Sequence, residues 1–114
     1  MSAARLPAHL EVGAILRRAQ AAGDFATILR KGDAERGSVL LVISSRGQHV
    51  ACLERVLTAA DDYGWQRVGP PESASSSEVT AFLGKRARFD GDSWAVELDI
   101  ADAERFIAET TSAG

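Results

Sequence analysis

Ser38-Val39-Leu40-Leu41-Val42-Ile43-Ser44-Ser45 is the stretch whose reading decides the fold. Five consecutive apolar residues, three of them β-branched, stand between Gly37 and Gly47. A half-exposed strand alternates apolar with polar side chains. A short run without alternation, closed by turn formers, reads instead as a strand covered on both faces. It is expected at the centre of a single sheet, and the rest of the chain must wall it in.

Toward the N-terminus, Asp24 leads into Phe25-Ala26-Thr27-Ile28-Leu29-Arg30-Lys31, rich in strand formers and ending in charge. The polar loop Gly32–Gly37 carries glycine at each end and is short enough to close a hairpin onto the central strand. Before it, Pro7 to about Ala22 predicts a helix, opened by proline and stopped by Gly23. Val12, Ile15, Leu16 and Ala19 form its buried stripe. Leu10, Gly13 and Ala14 lie nearly opposite. That narrow strip packs closely within the fold or touches a second copy of the chain, and the first reading is favoured because scattered exposed apolar groups are common.

Toward the C-terminus, Arg46-Gly47-Gln48 reads as a turn and His49–Leu57 as a strand, giving three antiparallel strands in a meander. Asp61-Asp62-Tyr63-Gly64 reads as a turn and Trp65–Val68 as a fourth strand. Residues 69–77, with two prolines and four serines, form the most loop-like stretch, expected to be mobile. Ser75 and Glu78 have capping-box spacing, so a helix follows to about Phe89, burying Val79, Phe82 and Leu83. Asp90-Gly91-Asp92 breaks it. Trp94–Ile100 alternates cleanly, with Trp94, Val96, Leu98 and Ile100 on one face and Ala95, Glu97 and Asp99 on the other. Asp102 caps a last helix that buries Ala103, Phe106 and Ile107, and Thr110–Gly114 is expected to fray.

The fold class expected is α+β: an antiparallel meander sheet of four to five strands with three helices, mainly packed on one face. One domain spans residues 1–114, with an ordered core over about 6–108. A net charge of −3, from 13 Lys plus Arg against 16 Asp plus Glu, argues against a general nucleic-acid binder without excluding one. The single cysteine, Cys52, rules out an intrachain disulfide and a thiol zinc cluster. With no apolar run of membrane-spanning length, the expected setting is cytoplasmic, with no membrane partner.

The stretches Leu6–Val12 with Leu16-Arg17-Arg18, Phe25-Ala26-Thr27 to Lys31-Gly32-Asp33, and Arg88-Phe89-Asp90 with Trp94–Ile100 together resemble an alphaproteobacterial family. That family is known as domain-of-unknown-function family number 1491. The likeness runs from about Leu6 to Ile107 and is strongest in the C-terminal block. It implies a bacterial, cytosolic, single-domain protein and carries over no catalytic residue.

No catalytic residue, cofactor or metal site is read from the sequence. His49 and Cys52, three apart in a strand, should point to opposite faces, and Cys52 reads as a small buried hydrophobe. His9 has no metal-ligand spacing to a second histidine. Paired aspartates at Asp61-Asp62 and Asp90/Asp92 suit turns.

The local anomaly is Lys85-Arg86-Ala87-Arg88: three cations in four residues of an acidic chain. Cations suit a helix C-terminus. Yet Arg86 falls on the apolar stripe, seven residues after Val79, and needs a partner if covered. The favoured reading is a strut in which Arg86 or Arg88 pairs with Glu97 or Asp99. The competing reading is an anion or nucleotide site of Lys85, Arg86 and Arg88, joined by Arg30 and Lys31. Trp65, beside a glycine turn, is either core or a partly exposed anchor for a partner.

Three functions follow in order: a non-enzymatic interaction or accessory module, self-associating through the first helix or a sheet edge; an anion, nucleotide or RNA binder at Lys85–Arg88; and an enzyme whose site is assembled from distant residues.

Overall fold

The computed structural model describes residues 6–57 and 63–112. Eight elements follow one another: α1 (Ala8–Ala21), β1 (Phe25–Arg30), β2 (Val39–Ser45), β3 (Gln48–Leu57), β4 (Tyr63–Val68), α2 (Ser76–Phe89), β5 (Trp94–Asp99) and α3 (Ala103–Ser112). The class is α+β, with three helices and one five-stranded sheet in the order β1-β5-β2-β3-β4. Residues 39–43 are all buried at its centre, as a strand covered on both faces requires.

The sheet is mixed, which corrects the meander. β5 enters between β1 and β2, antiparallel to the first and parallel to the second. The physical reason is direction. β4 runs the same way as β2, and so does β5, so the chain cannot return by a hairpin. It needs a crossover, and α2 supplies it, carrying the chain over β3 and β2.

The loop 32–37 therefore closes no hairpin. It bridges two strand spacings, about 10 Å, and passes over the start of β5. There Asp33 N–H donates to Asp92 O at 2.9 Å and Trp94 Nε1 to Asp33 O at 2.8 Å. A Cβ on Gly37 would lie 2.3 Å from Asp92 O, so this contact demands glycine.

The even and odd residues of β2 feed two separate cores. Val39, Leu41 and Ile43 join Val12 and Ile15 of α1, Val96 and Leu98 of β5, and Ile107 of α3. Leu40 and Val42 join Cys52 and Val79, with Phe82 and Leu83 packed against them. Two helices thus share one face and α2 covers the other. α1 crosses its face obliquely: Glu11 near its start reaches β3, and its end delivers the chain to β1.

Local signals mostly hold. Pro7 caps α1, and Gly23, at φ +83°, follows its end. Arg46 and Gly47, both at positive φ, form the two-residue turn between β2 and β3. The Ser75–Glu78 capping box opens α2. Two boundaries differ. Tyr63 and Gly64 belong to β4 rather than to a turn, because they pair with Leu57 and Val56. α3 continues to Ser112, where a frayed tail was expected, and Thr111 Oγ1 donates to Ile107 O within it. Asp61 and Asp62 lie outside the described residues.

Candidate functional site

Near the end of β3 the two faces of the sheet carry opposite charges, Glu54 and Arg55. Period-two geometry sends Glu54 to the α2 face with Cys52, and Arg55 to the α1 face with Leu53. Each finds its counter-ion on the helix covering that face.

Arg86 of α2 pairs with Glu54, and the two side chains are only 27% and 21% exposed. Arg86 does sit on the covered stripe and does need a carboxylate, but the partner is not Glu97 or Asp99. The short Asp90–Ser93 connection holds the end of α2 at the beginning of β5. Glu97 and Asp99 lie three and five residues farther, about 10 and 17 Å along the strand. Glu54, paired with Leu40, is level with that end. Glu97 instead accepts from Ser44 Oγ at 3.1 Å. Asp99 accepts from the turn N–H groups of Arg46 and Gly47, each at 3.0 Å. Lys85 and Arg88 are exposed, and Lys85 lines an open cleft of about 350 Å³ with Phe82, Arg86, Phe89 and Asp90, which Arg88 does not line.

On the other face, Arg55 pairs with Glu11 of α1 at 3.0 Å. Its guanidinium lies 5.1 Å from the centre of the Trp65 ring and 5.6 Å from that of Tyr63, within reach of cation–π attraction. Trp65 is thus half-buried against the core and seats a cation. Glu11 is 5% exposed. Its Oε1 and the Arg55 Nε have no hydrogen-bond partner and are shut from bulk water. Both residues line a cavity of about 480 Å³ between α1, α3 and the sheet, with Ala14, Ile15, Trp65 and Phe106 on its walls.

Neither Glu11 nor Arg55 stands out in the sequence taken singly. The signal lies in periodicity. Glu11 is four residues before Ile15 on the buried stripe of α1, and Arg55 is two after Leu53 on an apolar strand face. Two opposite charges, each on a covered face, call for one another.

The histidines and the cysteine form no reactive group. His9 Nδ1 donates to Ala34 O at 2.9 Å. A β-bulge at Val50 breaks the alternation of β3, so His49 aligns with Ser44 and Cys52 with Val42. Contrary to the simple alternation, both therefore belong to the α2 face. His49 Nε2 donates to Pro70 O at 3.1 Å. Burial pushes the Cys52 thiol up to about 11, with the nearby Arg86 opposing the shift more weakly, so the thiolate needed for nucleophilic attack is suppressed. Among the described residues no group of His, Cys, Asp and Glu could hold a metal ion, and no helix is long and apolar enough to cross a membrane.

The edge strand β1 presents a different surface. Among the described residues it pairs only with β5, and five of its six residues are exposed, including Phe25, Ile28 and Leu29.

Comparison with known proteins adds a family. None of the curated proteins matches the chain. A crystal structure of a DUF1491 family protein from Caulobacter crescentus CB15, at 1.87 Å resolution, is 31% identical with a TM-score of 0.76, covering 90% of this chain and 94% of that one. An NMR structure of a DUF1491 family protein from the same organism gives 31% and 0.73, over 89% and 91%. The solution structure of protein Atu0922 from A. tumefaciens, 24% identical over 85% of this chain and 87% of that one, shares the fold at a TM-score of 0.71. The family described as "protein of unknown function (DUF1491)" matches residues 6–108, and across that span the chain belongs to it.

Proposed function

We propose that the protein is a non-enzymatic interaction module that self-associates through the free edge of β1. The observation that carries this reading is the exposed apolar surface of that edge at Phe25, Ile28 and Leu29. Natural edges are protected by proline, bulges, charge or short length, and β1, six residues long, carries a bulge only near its end, at Leu29. β1 offers Phe25-Ala26-Thr27-Ile28-Leu29 before its first charge, whereas β4 at the opposite edge places exposed Gln66 and Arg67 outward.

The partner the charges favour is a second copy. Antiparallel pairing of two β1 strands about a two-fold axis at Thr27, with the bulged Leu29 left unpaired, sets Phe25 opposite Arg30 and Asp24 opposite Lys31. Opposite charges then meet at both ends of one isologous contact. The result is a continuous ten-strand sheet across two protomers. A reducing, cytoplasmic setting accords with the free buried thiol of Cys52.

Sedimentation at tens of micromolar tests the reading. The wild-type chain is expected to run as a dimer. Thr27→Lys, an exposed change that sets two ammonium groups close to the axis, is expected to run as a folded monomer. A wild-type chain that stays monomeric sinks the proposal.

A second reading, anion binding at Lys85 and Arg88, draws support from the exposed Phe89 beside them, since an aromatic face with adjacent cations suits a base and its phosphate. Salt-sensitive retention on heparin that Lys85→Glu abolishes is its expected signature.

A further inference from the structure

The two faces of β1 differ in what lies over them. Ala26 and Ile28 align with Leu98 and Val96, on the face that α1 covers. Phe25 and Thr27 align with Asp99 and Glu97, on the α2 face. Past the bulge at Leu29, Arg30 returns to the α2 face, level with Ala95 and through it with Leu40. The ring of Phe25 is 76% exposed there. An aromatic side chain holds a large apolar surface, and so much of it in water is a favourable place for a partner to bind.

At the level of Arg30, α2 and the sheet leave an apolar notch of about 90 Å³. Leu29 and Leu83 form its lips, the first 45% exposed and the second half-buried, with Leu40 and Ala95 beneath. Arg30 lines it too and is held in place, because its Nη2 donates to Gly91 O at 3.0 Å. Phe25 of the same chain stands about 15 Å away along the strand and does not reach it.

We propose that this notch is the seat of Phe25 from a second copy of the chain. The inference rests on the β1–β1 pairing proposed above and adds a side-chain anchor to it. In that register the partner's Phe25 stands directly across from Arg30, on the same face of the joined sheet and about 5 Å away. Leaning inward, its ring meets the lips formed by Leu29 and Leu83 and lies against the fixed guanidinium, so apolar contact and cation–π attraction coincide. The two-fold axis makes two such seats, one at each end of the pairing. α2 thereby joins the interface through Leu83, which main-chain pairing alone does not require. A foreign strand could satisfy the edge hydrogen bonds, but it fills the notch only with an aromatic residue at this position.

The test measures the dimer dissociation constant by sedimentation equilibrium for the full-length wild type, Phe25→Ala, Leu29→Ala and the double variant. Each single change lies at an exposed position and is expected to leave the fold intact while weakening the dimer at least about tenfold. The double variant should lose well short of the product of the two, because both changes remove one contact. In a dimer of one isotope-labelled and one unlabelled protomer, nuclear Overhauser effects are expected between the Phe25 ring of one and the Leu83 methyl groups of the other.

A wild-type dimer whose affinity survives Phe25→Ala, single losses that simply multiply, or no Overhauser effect reaching Leu83 would each overturn the seat and leave the strand pairing standing. A wild-type chain that stays monomeric at tens of micromolar overturns the pairing and the seat together.

Discussion

A buried carboxylate is tolerated only while its counter-ion is present, which makes Arg55 the residue whose loss is most costly. Arg55→Met leaves the Glu11 charge unpaired beneath α1 and is expected to destabilise the fold by about 3–5 kcal/mol in urea titrations. The double variant Glu11→Leu with Arg55→Met should recover to within about 1 kcal/mol of wild type, because an apolar pair has no charge to desolvate. No recovery would show that the pair contributes more than mutual neutralisation.

Gly37 is sensitive for a different reason. Alanine there drives a methyl group into Asp92 O and the Trp94 ring, and the expected loss is about 1–3 kcal/mol by thermal unfolding.

Cys52 gives a pH dependence. Its folded thiol titrates near 11 against an ordinary 9.0, so the folded state holds its proton longer than the unfolded one. The stability this represents is fully present below about pH 9 and declines as pH rises toward 11. Cys52→Ala should flatten that decline. An identical alkaline profile in both proteins would remove Cys52 as its cause.

At the scale of elements, the two oppositely signed helix–sheet pairs are the organising device. Arg86→Met should cost about 1–2 kcal/mol, less than Arg55→Met, because the carboxylate side chain left behind, Glu54, is 21% exposed to water where that of Glu11 is 6%. Ser75→Ala removes the oxygen that receives the Glu78 N–H at 3.2 Å and should cost about 1 kcal/mol by the same measurement.

Most elements were legible in the sequence because their signals are local: a capping box, a positive-φ turn, an unbroken β-branched run, a clean alternation from Trp94. The partners of the charges were not. That Arg86 needed a carboxylate followed from its place on the stripe. Which one it met depended on how far along β5 the end of α2 falls, a tertiary fact. The bulge at Val50 was invisible for the same reason, since an extra residue in a strand leaves no compositional trace.

For the molecule as a whole, class and element order could be read from the chain, and strand order could not. Sequential strands usually neighbour one another, and that rule is broken twice, between β1 and β2 and between β4 and β5, because β5 takes the place beside β2 that β1 would have occupied. The glycines of the loop at 32–37 looked like hairpin residues. They are required instead by the backbone of Asp92 and Ser93 pressing on them from above β5. The cavity was equally hidden, because a void belongs to the spacing of α1 and α3 and to no residue in particular.

The place of β5 bears on how the protein comes into being. Its two neighbours are translated long before it, and during synthesis they wait with their inner edges bare, each able to pair wrongly with another chain. The β2-β3-β4 meander can form early from contacts close in sequence, but the pairings of β5 with β1 and β2 span more than fifty residues, so assembly is expected to be slow for a domain of this length. A chain ended at Asp90 keeps four strands and two helices yet loses the link between them. It should give no dispersed amide spectrum, while adding a synthetic peptide of residues 91–114 should restore one.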